Sequence, residues 1–266
     1  DASQKGGEGM SGFLETEKLS VGYDGKPLIR DVCLQVQRGK IVTLIGPNGS
    51  GKSTILKTIV GQLSKVSGTV LLEGTPMERC GQKEIAKRMA ILMTERIHPE
   101  LMTCYDVVST GRYPYTGALG LLGKEDKRIV EESLELVHGR DMADRPFDAI
   151  SDGQRQRILL ARALCQTPEI IVLDEPTSYL DIRYKLELLT ILKTMVREKN
   201  LAVLMSLHEL DLAQRVSDTV VCVSGDRIDR MGPPEEIFSN DYISRLYHME
   251  PGKYDPCFDT LEYVPK

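Results

Sequence analysis

The sequence predicts an α/β fold in which helices cover both faces of a doubly wound parallel sheet. Short, continuously apolar runs alternate with longer stretches of helical periodicity, and such runs are typical of strands buried on both faces. A glycine-rich loop at residues 46–54, here called the phosphate loop, connects one apolar run to a helix. Loops of this kind place a binding site at the carboxyl edge of a parallel sheet.

The individual elements follow from apolar periodicity and from the turn residues between them. Predicted strands cover residues 14–21, 28–36, 41–45, 67–74, 90–93, 170–175, 201–206, 219–223 and 227–228. Predicted helices cover residues 55–60, 82–88, 124–137, 154–164 and 182–199. Thr103 and Asp106 form a capping-box pattern that begins another helix. Arg155, Arg157 and Arg162 are expected mainly on the outer side of their helix.

The same elements predict how the chain divides. Residues 1–12 hold several glycines among polar neighbours, which indicates a flexible tail. Residues 13–94 and 160–232 are predicted to form the α/β core, whose first strands make an N-terminal antiparallel β subdomain. Residues 95–159 are predicted to form an inserted helical subdomain, and residues 233–266 a helical C-terminal extension.

Charge and cysteine content bound the classes of function. The formal net charge of −5 and the pI near 5.6 provide no basic field for nucleic acid. The six cysteines are scattered singly, which predicts small, buried and reduced side chains in a cytoplasm. No apolar run approaches the ~18 residues that cross a bilayer, and no charged-then-apolar leader opens the chain. A soluble or peripheral protein is therefore expected.

The phosphate loop has the G-x-x-x-x-G-K-[ST] spacing in its required strand-to-helix context. Its backbone N–H groups and the following helix N-terminus are expected to hold the phosphates of a nucleotide. Lys52 is expected on the β- and γ-phosphates, and the Ser53 hydroxyl on Mg²⁺. The other nucleotide-binding candidates in this loop are Gly46, Asn48, Gly49, Ser50, Gly51 and Thr54. The alternative is a glycine-rich turn with a surface lysine.

Two carboxylates, Asp174 and Glu175, end an apolar strand, and phosphoryl transfer needs such a pair beside a phosphate loop. Asp174 is expected to hold Mg²⁺, usually through water, and Glu175 to polarise the attacking water. The alternative for the pair alone is a solvated strand end. Tyr23, at the edge of the first strand pair, either stacks on an adenine ring or packs on its own hairpin.

The order of these motifs resembles the ATP-binding cassette (ABC) ATPases. Residues 150–154, Ile-Ser-Asp-Gly-Gln, are similar to the L-S-G-G-Q signature of that family, and residues 176–181 to its D-loop. His208 stands at the position of the switch histidine, and Tyr23 at that of the adenine-stacking aromatic residue. The resemblance covers about residues 13–247. It implies a P-loop NTPase (RecA-like) core and an ATPase that uses ATP and Mg²⁺.

The resemblance also implies roles for single residues. The catalytic residues that it implies are Lys52, Glu175 and His208, with His208 on the γ-phosphate. Ser151 and Gly153 are expected to cap the ATP of a second, head-to-tail copy, with a free Ser151 hydroxyl at a helix N-terminus. Gln154 and Asp181 are further nucleotide-binding candidates. A group supplied in trans contributes about 10³ to 10⁵ in rate, so a monomer is expected to be nearly inert.

Two positions depart from the family pattern. Asp152 replaces the first signature glycine, which brings a carboxylate near a phosphate. Thr94 and Glu95 stand where the family has the Q-loop glutamine, which links Mg²⁺ to movement of the membrane partner. Glu95 is expected to replace that glutamine as an oxygen ligand, because a carboxylate suits Mg²⁺ as well as an amide does.

Within the family, the chain resembles importers of iron–siderophore complexes, haem and cobalamin. The resemblance rests on residues 111–114 (Gly-Arg-Tyr-Pro), 208–213 and 233–247. It implies a homodimer on the cytoplasmic face of the inner membrane that drives integral-membrane permease subunits. A separate substrate-binding protein works with these subunits. The helical insert and the Q-loop are then expected to form a groove for a permease coupling helix. The alternative for residues 111–114 is a helix terminus that leaves Arg112 exposed.

Other functions stay open at this point. A soluble cassette ATPase could act as an assembly scaffold, for example in iron–sulfur cluster biogenesis, and export is compatible with the same ATPase. A nucleic-acid-linked cassette ATPase usually has a coiled coil or a second cassette. This chain has one cassette, no sustained heptads and a net negative charge. The sequence therefore favours the importer.

Overall fold

The computed structural model of the chain describes residues 12–93, 99, 101–117, 120–238, 242–248, 252–253 and 264–265. The strands are β1 (Leu14–Tyr23), β2 (Lys26–Val32), β3 (Gln35–Val36), β4 (Ile41–Ile45), β5 (Ser67–Leu72), β6 (Thr75–Pro76), β7 (Met89–Leu92), β8 (Ile170–Asp174), β9 (Ala202–Ser206), β10 (Thr219–Ser224), β11 (Arg227–Gly232), β12 (Gly252–Lys253) and β13 (Val264–Pro265). The helices are α1 (Lys52–Ile59), α2 (Gln82–Arg88), α3 (Cys104–Ser109), α4 (Lys124–Leu136), α5 (Asp152–Cys165), α6 (Ile182–Lys199), α7 (Leu210–Val216), α8 (Pro234–Ile237) and α9 (Tyr242–Leu246).

The central sheet has six strands in the order β11-β10-β4-β9-β8-β7. Neighbouring strands pair in parallel except for β10 and β11, which are antiparallel. Because β9 lies between β4 and β8, the segments that follow these three strands meet at one edge of the sheet. The predicted α/β fold with a parallel sheet is therefore confirmed.

Two apolar layers cover the central sheet, one on each face. Successive residues of β8 alternate between them: Ile170 and Val172 belong to one layer, Ile171 and Leu173 to the other. The first layer also contains α1 and an antiparallel sheet of order β2-β1-β5-β6, in which β3 pairs with β1. The second layer contains helices α3 to α9. No helix within the described ranges is both long and apolar enough to span a bilayer.

Several sequence signals form the local structure that they predict. Helices α2 and α6 have the predicted bounds. Thr103 and Asp106 form the capping box of α3: Thr103 Oγ1 accepts from the Asp106 N–H at 3.1 Å, and Asp106 Oδ2 accepts from the Thr103 N–H at 2.9 Å. Helix α5 runs across residue 160, where the sequence places a domain boundary. The division into domains stays a prediction.

The arginines of α5 are less exposed than the sequence predicts. Arg155, Arg157 and Arg162 are all half-buried. Helix α5 packs against α3, α4 and β7, so it has neighbours on more than one side. Arg162 Nε donates to Thr110 Oγ1 at 2.9 Å, and burial lowers the pKa of Arg162. The expected outer side of this helix is therefore partly an internal surface.

The cysteines match the prediction in part. The described cysteines are free thiols, and Cys104, Cys165 and Cys222 are buried. Burial raises the pKa of the Cys165 and Cys222 thiols to about 11. Cys33 is exposed and Cys80 is half-buried, so the expectation of burial was wrong for these two. Cys257 lies outside the described residues.

Arg112 connects α4 to the end of α5 and is only 5% exposed. Its Nε donates to Asp126 Oδ1 at 2.9 Å, its Nη1 donates to the Cys165 carbonyl at 2.8 Å, and its guanidinium lies 3.9 Å from the centre of the Tyr115 ring. Burial alone raises the pKa of Asp126, but hydrogen bonds from Arg112 and the Gly123 N–H lower it overall. The alternative of an exposed arginine at the end of a helix is wrong.

Replacing Arg112 with alanine is expected to lower the free energy of unfolding by about 3 kcal/mol, because Asp126 loses its buried partner. Urea denaturation of the purified chain measures this loss. Arg128→Ala is the control, since Arg128 pairs with Glu125 and Glu132 at the surface and should barely shift the urea midpoint. Equal shifts in the two variants would contradict the proposed anchoring role of Arg112.

Candidate functional site

The phosphate loop connects β4 to α1 and depends on glycine at defined positions. Gly46, Gly49 and Gly51 have φ values of 151°, 76° and 94°. At Gly46 a Cβ atom would lie 2.3 Å from the Val223 carbonyl oxygen, so a side chain does not fit there. Asn48 and Gly49 are exposed at the tip of the loop. Gly51 is the N-cap of α1, and the first N–H groups of that helix face the loop without intrahelical partners.

Lys52 lies inside the loop and is only 4% exposed, so the alternative of a surface lysine is wrong. Its Nζ donates to the carbonyl oxygens of Gly46 at 2.8 Å and Pro47 at 3.0 Å. An ammonium group has three donors, so one more hydrogen bond is available to an anion. Burial lowers the pKa of Lys52, and the Glu175 and Asp174 carboxylates act in the opposite direction.

Asp174 ends β8 and is 3% exposed. Its Oδ1 accepts from Ser206 Oγ at 2.6 Å and from Ser53 Oγ at 3.0 Å. Ser206 Oγ also accepts from the Glu175 N–H at 2.9 Å. Since Ser206 ends β9 and Ser53 lies in the first turn of α1, these bonds connect the ends of β8 and β9 to the start of α1. Sequence reasoning missed Ser206, although a serine at the end of a buried central strand was a usable signal.

Glu175 directs its side chain between two polar groups. Its Oε1 lies 2.5 Å from His208 Nε2, and its Oε2 accepts from Ser178 Oγ at 3.2 Å. Its φ of 50° is left-handed, a conformation that costs of order 1–3 kcal/mol in a residue with a side chain. The structure thus places two of the predicted catalytic residues in contact: Glu175, which follows β8, and His208, which follows β9.

Tyr23 borders the phosphate loop from the antiparallel sheet. Its Oη lies 3.3 Å from Thr54 Oγ1, and 55% of the residue is exposed. Its ring therefore keeps a free surface beside the first turn of α1. Adenine stacking by Tyr23 stays a prediction.

The signature residues begin helix α5. Ser151 is its N-cap: Ser151 Oγ accepts from the Gln154 N–H at 3.3 Å, and Gln154 Oε1 accepts from the Ser151 N–H at 3.0 Å. The expectation of a free Ser151 hydroxyl was wrong in part, because its oxygen serves this capping box and only its hydrogen remains to donate. Asp152 Oδ1 lies 2.9 Å from Arg155 Nη1, and Gly153 is half-buried.

The predicted D-loop is braced by a carboxylate that sequence reasoning did not select. Glu209 accepts from Thr177 Oγ1 at 2.8 Å and pairs with Lys185 Nζ at 2.5 Å. Burial alone raises the pKa of Glu209, but these two partners lower it overall. Asp181 caps α6 by accepting from the Tyr184 N–H at 3.1 Å, and it is exposed. No local pattern indicates this brace, because Thr177 and Lys185 lie 32 and 24 residues away along the chain.

The donors at this edge fit a nucleotide with Mg²⁺. Ser50 Oγ is buried within the loop and has no hydrogen-bond partner in the described part of the chain. The Ser53 hydroxyl and the Asp174 carboxylate supply the oxygen ligands that Mg²⁺ prefers. No group of three or more His, Cys, Asp or Glu side chains within the described residues is arranged for a metal, so phosphate and water oxygens must complete such a shell. Thr94 and Glu95 lie outside the described residues.

Comparison with known proteins decides the family. The ABC transporter family profile matches residues 29–178, which is more than half of the chain. The chain belongs to the ABC transporter family. An ABC transporter ATP-binding protein of Methanocaldococcus jannaschii is 41% identical over 94% of this chain and 86% of its own length. The iron(3+)-hydroxamate import ATP-binding protein of Bacillus subtilis is 38% identical over 89% of this chain and 88% of its own length.

A solved ATP-binding subunit of an ABC transporter has a TM-score of 0.75 and 27% identity, and the match covers 88% of this ABC protein and 92% of that chain. The predicted family, fold and enzyme class are confirmed: this ABC protein is an ATPase that binds ATP. These relatives give no support to the scaffold alternative.

Proposed function

We propose that this ABC ATPase energises uptake of an iron chelate, or of the related haem or cobalamin type of cargo, through a membrane permease. The observation that carries the cargo class is the likeness to the ferric hydroxamate import subunit of Bacillus subtilis, which extends over nearly the full length of both chains.

The phosphate loop holds the nucleotide in this proposal. Lys52 directs its remaining N–H to the β- and γ-phosphates, and the first-turn N–H groups of α1 point at the same oxygens. The loop positions assigned to nucleotide binding are Gly46, Asn48, Gly49, Ser50, Gly51, Lys52, Ser53 and Thr54. The exposed face of Tyr23 is available for adenine stacking.

Hydrolysis is assigned to the carboxylates at the strand ends. Ser53 and Asp174 would hold Mg²⁺, which would neutralise charge on the phosphates. Glu175 orients the attacking water and accepts its proton, and His208 is assigned to the γ-phosphate, a contact for which its Nε2 leaves Glu175 Oε1, 2.5 Å away in this structure. The bond from the Glu175 N–H to Ser206 fixes the backbone that aims this side chain. Glu95 stays a candidate Mg²⁺ ligand.

Glu175→Gln is expected to lower kcat for ATP by about 10² to 10⁴, because the amide cannot accept the proton from water. ATP binding should persist, since Lys52 and the loop are unchanged. Phosphate release and nucleotide titration measure the two effects separately. Glu198→Gln, on the exposed last turn of α6, is the matched control and should keep normal turnover. Near-normal turnover of the Glu175→Gln protein would remove Glu175 from the role of base.

The signature is assigned to the ATP of a second copy, head to tail. Ser151 lies exposed at the N-terminus of α5, where its hydroxyl hydrogen and the helix dipole suit an anion. Next to Asp181, the large apolar residues Tyr179, Ile182 and Leu186 are more than half exposed. Such a patch beside a polar site supports a protein interface there. Gly153 and Gln154 belong to the same surface.

Mixing two inactive variants tests whether the site is shared between subunits. Lys52→Ala and Ser151→Asp should each abolish turnover, and aspartate keeps the helix cap while repelling phosphate. Mixed dimers contain one site with intact Lys52 and intact Ser151. Random pairing should therefore restore roughly a quarter of wild-type activity in an equal mixture. A mixture as inactive as its components would contradict a site completed in trans.

The permease is expected to bind between the helical insert and the core. A cavity of about 790 Å³ lies in the core beside the two ends of the predicted insert, between α2, α5, β7 and the end of α1. Its walls include the apolar residues Ile85, Ile91, Met93 and Leu159. This cavity supports the predicted groove for a permease coupling helix, because it ends at the segment where the Q-loop begins. In the proposed assembly, the ATPase binds the permease at the cytoplasmic face of the inner membrane. A substrate-binding protein is a further component of this assembly.

Purification of the tagged ATPase from membranes is expected to recover hydrophobic permease subunits. Leu159→Glu should weaken that recovery, because a charge in the cavity wall opposes an apolar helix. It should leave ATP turnover of the isolated ATPase unchanged. Radioactive ferric hydroxamate uptake by cells that carry each variant gives the functional reading. If the ATPase were recovered only from the soluble fraction of cells that express all candidate permeases, the result would favour the alternative of an assembly scaffold.

A further inference from the structure

The C-terminal extension reaches the phosphate loop through one tyrosine. Tyr247 follows α9, and its Oη accepts a hydrogen bond from the Gly46 N–H at 3.1 Å. The Gly46 carbonyl in turn accepts from Lys52 Nζ at 2.8 Å. Gly46 therefore bonds to Tyr247 through its N–H group and to Lys52 through its carbonyl oxygen.

Tyr247 stands on a well-anchored support. Ile243 and Leu246 of α9 are buried in the apolar layer that covers the central sheet. Tyr242, at the start of α9, donates from Oη to Asp229 Oδ2 at 2.8 Å. The Tyr247 N–H donates to the Ile243 carbonyl at 3.0 Å, which continues the helical turn. The tyrosine hydroxyl thus has a defined position relative to the sheet.

Gly46 has little freedom to find another partner. It is buried, and its Cα lies close to the end of β10, where a Cβ would be 2.3 Å from the Val223 carbonyl oxygen. Without Tyr247 Oη, the buried Gly46 N–H loses this partner, which costs free energy unless the loop moves. Any such movement also shifts the Gly46 carbonyl that holds Lys52.

We propose that Tyr247 is a positioning residue for nucleotide binding: it fixes Gly46, and through Gly46 the lysine of the phosphate loop. This inference rests on the proposed nucleotide role of that loop. Because coupling between two events is reciprocal, nucleotide binding must also stabilise the docked position of α9. The C-terminal extension is then part of the ATP site and not only a cover for the sheet.

Tyr247→Phe removes the hydroxyl and keeps the ring. Loss of one hydrogen bond to a backbone N–H is expected to raise the KM for ATP about fivefold, with kcat changed less than about twofold. Tyr242→Phe is the matched control, since it removes the hydroxyl of the nearby Tyr242, which bonds to Asp229 and not to the loop. Its KM should equal that of the wild type. An unchanged KM in Tyr247→Phe, or equal increases in both variants, would overturn the proposal.

Amide hydrogen exchange of residues 242–248 in the full chain measures the stability of this segment, which ATP turnover does not report. Added ADP should slow exchange in the wild type and in Tyr242→Phe, and should have little effect in Tyr247→Phe. Equal slowing in all three proteins would overturn the coupling. A wild-type protein that binds no nucleotide at the loop would overturn the proposed function together with this inference. Normal binding by the wild type and by Tyr247→Phe alike would overturn this inference alone.

Discussion

The buried carboxylate of Asp174 constrains the edge of the sheet where all the proposed chemistry lies. A charge that is 3% exposed must be met by hydrogen-bond donors, and Ser206 and Ser53 provide them. Ser206 can do so because the register of β8 and β9 places it opposite Asp174. A slip of one residue would turn it to the other face of the sheet. Polar satisfaction at this strand end therefore favours the observed register of β8 and β9 and ties both strands to the start of α1.

The same constraint explains how Lys52 is held in position. Two loop carbonyls hold its ammonium group, and the Asp174 and Glu175 carboxylates oppose the effect of burial on its pKa. Groups that are aligned in advance need little reorganisation when charge develops near them. The backbone of Gly46 shares in this arrangement, so the loop, the strand ends and α9 form one connected structure.

Sequence reasoning succeeded where a local sequence pattern determines the local structure. The phosphate loop needs fixed spacing between two recognisable elements, and the bounds of α6 follow from uninterrupted helical periodicity. It failed where contacts depend on distant partners. Arg112 is buried because Asp126 and the Cys165 carbonyl, 14 and 53 residues away, surround it, and Tyr247 meets Gly46 across 201 residues. The end of a buried strand marks Ser206 as a candidate, but its partners Asp174 and Glu175 become clear only once β8 and β9 are known to be neighbours.

The signature shows a different kind of error, because the necessary pattern was local. Ser151 and Gln154 have the S-x-x-Q spacing of a capping box, which assigns the serine oxygen to the backbone of its own helix. Capping and phosphate binding are compatible, since the oxygen accepts from Gln154 while the hydroxyl hydrogen can donate outward from an exposed position. Arg155 offsets the charge that Asp152 brings beside that hydroxyl. An aspartate in place of the usual glycine therefore leaves this helix end able to face an anion.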